Sequence, residues 1–142
     1  MRSLYDVSFL VSLFDRNHDA HHVVSVWFAA NAEEGWASCP LTQNGCVRVL
    51  SQPRYPRPIS PSAAAEQLRS ATSVEFHRFI PDDISLLDET RVDVRRIHGH
   101  RQIADVYLLA LAVAHDARLV TLDRRIPLDA VHGANESHLA VI

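Results

Sequence analysis

The sequence predicts an α/β fold: a three-layer α/β/α sandwich around a mainly parallel sheet of about five strands. Two observations carry the prediction. Short apolar runs with strand character recur along the chain, and stretches with helical spacing of apolar residues separate them. That alternation is what a parallel sheet covered on both faces requires.

Ser3–Val7 reads as a buried strand, and Phe9–Phe14 continues apolar at helical spacing. Asp15–Asp19 is polar and turn-like. From Asp19 to Glu33, Val23, Val26, Trp27 and Ala30 follow an i, i+3, i+4, i+7 pattern, and Gly35 stands just past that helix, where a helix end favours glycine. Gly35–Cys39 is a second strand, and Pro40 and Thr42 open a helix that runs to about Ser51. Gln52–Pro61, with its prolines, is a loop, and Ser60–Ala71 is a helix with Pro61 in its first turn. Glu75–Ile80 is a third strand, stopped by Pro81, and Leu86–Arg96 is expected to be helical. Gly99 and His100 interrupt the chain. Arg101–His115 is the strongest helix, with Ile103, Ala104, Tyr107, Leu108, Leu111 and Ala112 on one stripe. Arg118–Leu122 and Ser137–Ile142 complete the strands.

The 142 residues, 47% hydrophobic and 22% charged, fit one globular domain spanning residues 1–142. No apolar run approaches the ~20 residues that span a bilayer, and Leu4–Phe14 lacks the basic leader and cleavage site of a secretory signal. Two free cysteines, Cys39 and Cys46, suit a reducing compartment, so a cytoplasmic protein without membrane contact is expected. The net charge of −3 supplies no global field for a polyanion. All 14 basic residues are arginine, whose planar fork suits phosphate.

Ligands of open parallel sheets bind at the carboxyl ends of the strands. Asp6 ends the first strand, Asp123 ends the fourth, and Asp105 lies in the first turn of the strongest helix, each in an apolar context. The three meet if the first and fourth strands are neighbours. Buried carboxylates must be protonated, paired with arginine or bound to a cation. Three together point to a hard divalent cation such as Mg²⁺. Each also has a plainer use: Asp6 and Asp123 as helix caps, and Asp105 as an ion-pair partner of Arg101. Ser8 and Thr121 are candidates to orient the carboxylates, and Thr42 and Asn44 to touch the same pocket. Arg48, Arg101, Arg124 and Arg125 lie near these segments and are candidates to clamp phosphates. Tyr55, in the proline-rich loop, is an aromatic candidate for a stacking contact. His18, His21 and His22 have a spacing that would share a helix face, but no further ligand accompanies them. His98 and His100 flank Gly99 beside the proposed site.

Four segments resemble the PIN-domain ribonucleases, in particular the VapC-type toxins of bacterial toxin–antitoxin pairs. They are Leu4–Ser8, Trp36–Thr42, His100–Ala112 and Leu119–Arg124. The resemblance implies a helix-flanked parallel sheet and a ribonuclease whose metal-binding acids match Asp6, Asp105 and Asp123. It also implies a small VapB-like antitoxin laid over the cleft, and a homodimer, for which the Leu86–Arg96 or Ile59–Ala71 segments could supply an apolar patch. One departure stands out: many members carry a glutamate three residues after the threonine matching Thr42, and here that position is Gly45. Glu33 or Glu34 would have to replace it in space. The expected reaction is metal-assisted hydrolysis of RNA phosphodiesters. The rival readings are a catalytically weak PIN-fold module that binds RNA or protein, and a small phosphoester hydrolase using the same acids. Ser8 occupies the position where a covalent phosphatase would want a second aspartate.

Overall fold

The computed structural model describes residues 1–142. Five strands form one sheet: β1 (Arg2–Tyr5), β2 (Trp36–Ser38), β3 (His77–Phe79), β4 (Ala117–Thr121) and β5 (Leu139–Val141). Their order is β3-β2-β1-β4-β5, and every pairing is parallel. The first strand is therefore central. Its register against β4 sets Tyr5 opposite Val120, so the two chain segments leave the sheet side by side. Strand order reverses at this seam, which is where open α/β sheets bind ligands.

The helices are α1 (Val7–Phe14), α2 (His21–Asn31), α3 (Pro40–Leu50), α4 (Pro61–Thr72) and α5 (Ile103–Ala114). Side chains alternate across the sheet, as strand geometry dictates. Tyr5, Trp36 and Val120 pack with Phe9, Leu10, Cys46 and Leu68 of the helices α1–α4. Leu4, Ala37 and Leu119 pack on the other face with α5 and with Ile80, Val92 and Val131. Two apolar layers thus enclose the sheet, giving the three-layer sandwich. Cys39 and Cys46 are free, buried and in different layers. No helix is long and apolar enough to cross a membrane.

Caps explain several boundaries. Asp6 accepts from the Phe9 N–H at 2.7 Å and starts α1, which is why the first strand stops at Tyr5 and Val7 is helical. Ser60 Oγ accepts from the Ala63 N–H at 3.1 Å and starts α4, with Pro61 in its first turn. Gly35 has φ +99°, and a Cβ there would lie 2.7 Å from the Arg2 guanidinium, which bonds the carbonyls of Trp36 and Phe76.

Leu86–Arg96 is not an α-helix. It contains turns, an isolated antiparallel bridge between Val92 and Val131, and a 3₁₀ turn at Val94–Arg96. Short polar side chains capture the backbone N–H groups that a helix would need. Ser85 takes Leu87, Asp88 takes Thr90, and Asp93 takes Arg95. No helical apolar patch exists there for a dimer; Leu87 is 83% exposed at the loop tip. In α5 the stripe is shifted: Val106 and Leu108–Ala112 are buried, whereas Ile103 and Ala104 are exposed at the helix start.

Candidate active site

Asp6, Asp105 and Asp123 line one cavity of about 500 Å³ at the β1–β4 seam. Asp6 reaches it because the chain turns from β1 into α1 at that residue. Asp123 reaches it two residues beyond β4. Asp105 enters from the first turn of α5.

Asp6 is held by three donors. Thr121 Oγ1 donates to Oδ2 at 2.6 Å, Ser8 Oγ lies 2.8 Å from Oδ1, and the Phe9 N–H makes the cap. The Thr121 hydroxyl also accepts from the Asp123 N–H at 3.0 Å, so one buried side chain ties both acids' segments together. Burial raises the Asp6 pKa, against the pull of these hydrogen bonds, and the negative charge of Asp123 adds to the rise. Burial also lifts Asp105, to about 6, helped by the charges of Asp6 and Asp123. The Arg101 pairing considered for Asp105 does not form; the guanidinium that counters its charge is that of Arg125, at a distance.

Asp123 differs. Arg125 Nε and Nη2 donate to its two carboxylate oxygens at 3.2 Å each, and the Arg125 N–H donates at 2.8 Å. These bonds lower its pKa. The three acids share a cavity, yet no three His, Cys, Asp or Glu side chains stand close enough to clasp an ion. The donor set is nonetheless all oxygen. Asp6 and Asp105 repel each other with no guanidinium on either, so the pair fits a hard divalent cation.

Two proposed pocket residues lie elsewhere. Thr42 is buried and its hydroxyl serves the Cys39 backbone, accepting from N at 3.0 Å and donating to O at 3.1 Å. Asn44 faces a groove between α3 and α4 with Gln43, Val47 and Arg69, because Leu41, Arg48 and Val49 hold the α3 face that lines the acidic cavity. Gly45 packs against Val7, a residue of the cavity wall. Glu33 and Glu34 do not replace the missing glutamate. They precede β2 at the opposite end of the sheet, where Glu34 pairs with the N-terminal amine and Arg118.

Of the arginines, Arg48 lines the acidic cavity, and Arg101 and Arg125 line an adjoining polar cleft with Asp123. Arg124 lines neither. His18 and His21 are occupied locally: His18 Nδ1 accepts from the Ala20 N–H at 3.0 Å, and His21 Nδ1 meets Ser12 O at 2.9 Å. Tyr55 lines the cavity, but its hydroxyl bonds Asp15, which also receives Arg57 at 2.9 Å. Burial pushes Asp15 up, but Arg57 and Tyr55 prevail and hold it at about 2. The Asp15–Tyr55–Arg57 tether escaped the sequence reading. Its partners are 40 and 42 residues apart, with no spacing rule to betray them.

Residues 4–132 match the PIN domain family model. The chain belongs to the PIN-domain family. This PIN domain is 50% identical over 142 residues to Ribonuclease VapC44 of Mycobacterium tuberculosis, covering 100% of both chains. It is 44% identical over 122 residues to Ribonuclease VapC38 of the same organism, covering 85% of this chain and 84% of that one. Among solved structures, VapC20 of M. tuberculosis, a Sarcin-Ricin loop cleaving toxin, superposes with a TM-score of 0.60 at 10% identity, covering 82% of this chain and 85% of that one. VapBC2 from Rickettsia felis, solved bound to a DNA fragment from its promoter, gives 0.60 at 16% identity, covering 89% and 94%. At those identities the likeness is one of fold: the PIN domain's parallel sheet with its flanking helices.

Proposed function

We propose that this chain is a VapC-type ribonuclease toxin that hydrolyses RNA phosphodiesters at the Asp6–Asp105–Asp123 cavity and is restrained by a small antitoxin. The observation that carries the reading is the state of Asp6 and Asp105. Two buried or half-buried carboxylates face one cavity at the switch point of the sheet, and neither has a cationic partner. Such a pair is stable when a cation completes it.

Asp6, Asp105 and Asp123 would hold that cation, Mg²⁺ or Mn²⁺. When bound, it supplies positive charge to a phosphate oxygen and lowers the pKa of a water. The chain's own residues prepare the site. Thr121, Ser8 and the Phe9 N–H fix the direction of the Asp6 oxygens. Arg48 on the α3 wall and Arg101 and Arg125 beside Asp123 offer guanidinium forks to the RNA backbone, which answers how an acidic protein receives a polyanion. Leu41 and Ile103, 37% and 44% exposed, give the surroundings apolar surface suited to an antitoxin segment.

The test is cleavage of single-stranded RNA by purified protein. Wild type should cleave with Mg²⁺ or Mn²⁺ and stop in chelator. Folded Asp6→Asn should lose more than the ~10–100-fold typical of removing a ligand's supporting partner. Undiminished cleavage by that variant contradicts the assignment. Assays of a mononucleotide and a generic phosphoester in parallel separate it from a small phosphoester hydrolase.

A further inference from the structure

We infer that Arg125 is a positioning residue that exchanges Asp123 for an RNA phosphate, so that substrate and cation assemble the site together. The inference rests on the ribonuclease reading above and deepens it.

Asp123 stands on the wall between two cavities. On one side are Asp6 and Asp105. On the other is a cleft of about 210 Å³ lined by His98, His100, Arg101, Gln102 and Arg125, with no hydrophobic residue. Asp123 is the only acid in that second cleft, and Arg125 grips it with both arms of its guanidinium. The same fork fits a phosphate equally well. The cleft is therefore built for an anion, and in the free protein Asp123 supplies one.

The walls are braced independently of that ion pair. Gln102 Nε2 donates to the Arg125 carbonyl at 2.9 Å, and its Oε1 accepts from the His98 N–H at 2.9 Å. The backbone of Arg125 thus stays in place while its side chain, 67% exposed, is free to turn. Exposed pairs of this kind are weak and yield to competitors. A backbone phosphate entering the cleft takes the guanidinium, and Asp123, still held through Oδ1 by the Arg125 N–H, is left with Oδ2 for the acidic cavity. Without RNA, Asp123 is neutralised, consistent with the lack of a ready three-ligand cage. Binding linkage is reciprocal, so the cation in turn favours RNA.

Two measurements on wild type, Arg125→Ala and Arg124→Ala test this. Mn²⁺ is titrated calorimetrically without RNA, and a ten-nucleotide single-stranded RNA is titrated by fluorescence anisotropy in chelator. Arg125→Ala should bind Mn²⁺ about tenfold tighter and the RNA about tenfold weaker, effects of opposite sign within the usual range of site coupling. Arg124→Ala, which removes the same charge from a residue outside both cavities, should shift Mn²⁺ affinity by no more than about twofold, well below that coupling. The exchange is overturned if Arg125→Ala leaves Mn²⁺ affinity unchanged, if it does not weaken RNA binding, or if Arg124→Ala tightens Mn²⁺ equally. A wild type that cleaves RNA beside an unresponsive Arg125→Ala overturns the exchange alone. A wild type that neither binds nor cleaves RNA overturns the ribonuclease reading with it.

Discussion

A Cβ at Gly45 would lie 2.4 Å from Cγ2 of Val7. Helices α1 and α3 approach so closely there that only glycine fits, and Val7 fills the space that a longer side chain would need. The glutamate common at this position in the family cannot simply be restored. Gly45→Ala in an ordinary helix interior would gain about 1 kcal/mol; here overpacking should turn that into a net loss of about 1–3 kcal/mol. In a Val7→Ala background the same change should cost nothing or stabilise. Urea unfolding of the four proteins measures the coupling, and additive effects would contradict the close packing.

Thr121→Val should damage both stability and activity. The hydroxyl donates to Asp6 and accepts from the Asp123 N–H, and the side chain is fully buried. Losing it strands polar groups at a cost of about 1–3 kcal/mol. Asp6, deprived of a donor that lowers its pKa, becomes harder to ionise. RNA cleavage should fall about 10–100-fold, and Thr121→Ser should recover much of it.

The acids also predict a pH signature. Asp105 is raised to about 6 by burial and by the neighbouring Asp6 and Asp123 charges, so the folded protein binds its proton more tightly than the unfolded chain does. Stability from this group is present below the unfolded value near ~3.9 and is lost as pH rises through about 6. Asp15, held at about 2, acts oppositely: its contribution is present above ~3.9 and is lost as pH falls towards 2. Thermal unfolding without metal should therefore show Asp105→Asn stabilised relative to wild type at pH 7 and indistinguishable from it at pH 4. A constant difference across that range would refute the shift.

Asp15 anchors the proline-rich loop through Tyr55 and Arg57. Asp15→Ala should destabilise by about 1–3 kcal/mol, the range for stranding a hydrogen-bonded polar group. It should also speed tryptic cleavage after Arg54, in the Arg54–Tyr55 bond of that loop. Because Tyr55 lines the acidic cavity, RNA affinity should fall as well; a loop that stays protected in the variant would show that the tether is dispensable.

The strands and most helices could be read from the sequence because their signals are local: short apolar runs, helical spacing, prolines at helix starts, a glycine after α2. The convergence of Asp6, Asp105 and Asp123 was also readable, because the carboxyl-end rule needs only strand order, and β1 does adjoin β4. What escaped depends on side-chain competition or on contacts between distant segments. Asp88 and Asp93 divert the backbone of Leu86–Arg96 from a helix. Thr42 turns to Cys39 instead of the cavity, and Asn44 takes the wrong side of α3. The demand for glycine at residue 45 exists only once α1 is docked.

The bond from Thr121 to Asp6 joins residues 115 positions apart. The middle strand is made first and its partner among the last, so a growing polypeptide carries no working centre until nearly all of it has emerged from the ribosome. Premature termination anywhere before that point leaves Asp6 without its Thr121 donor and the cavity without Asp123.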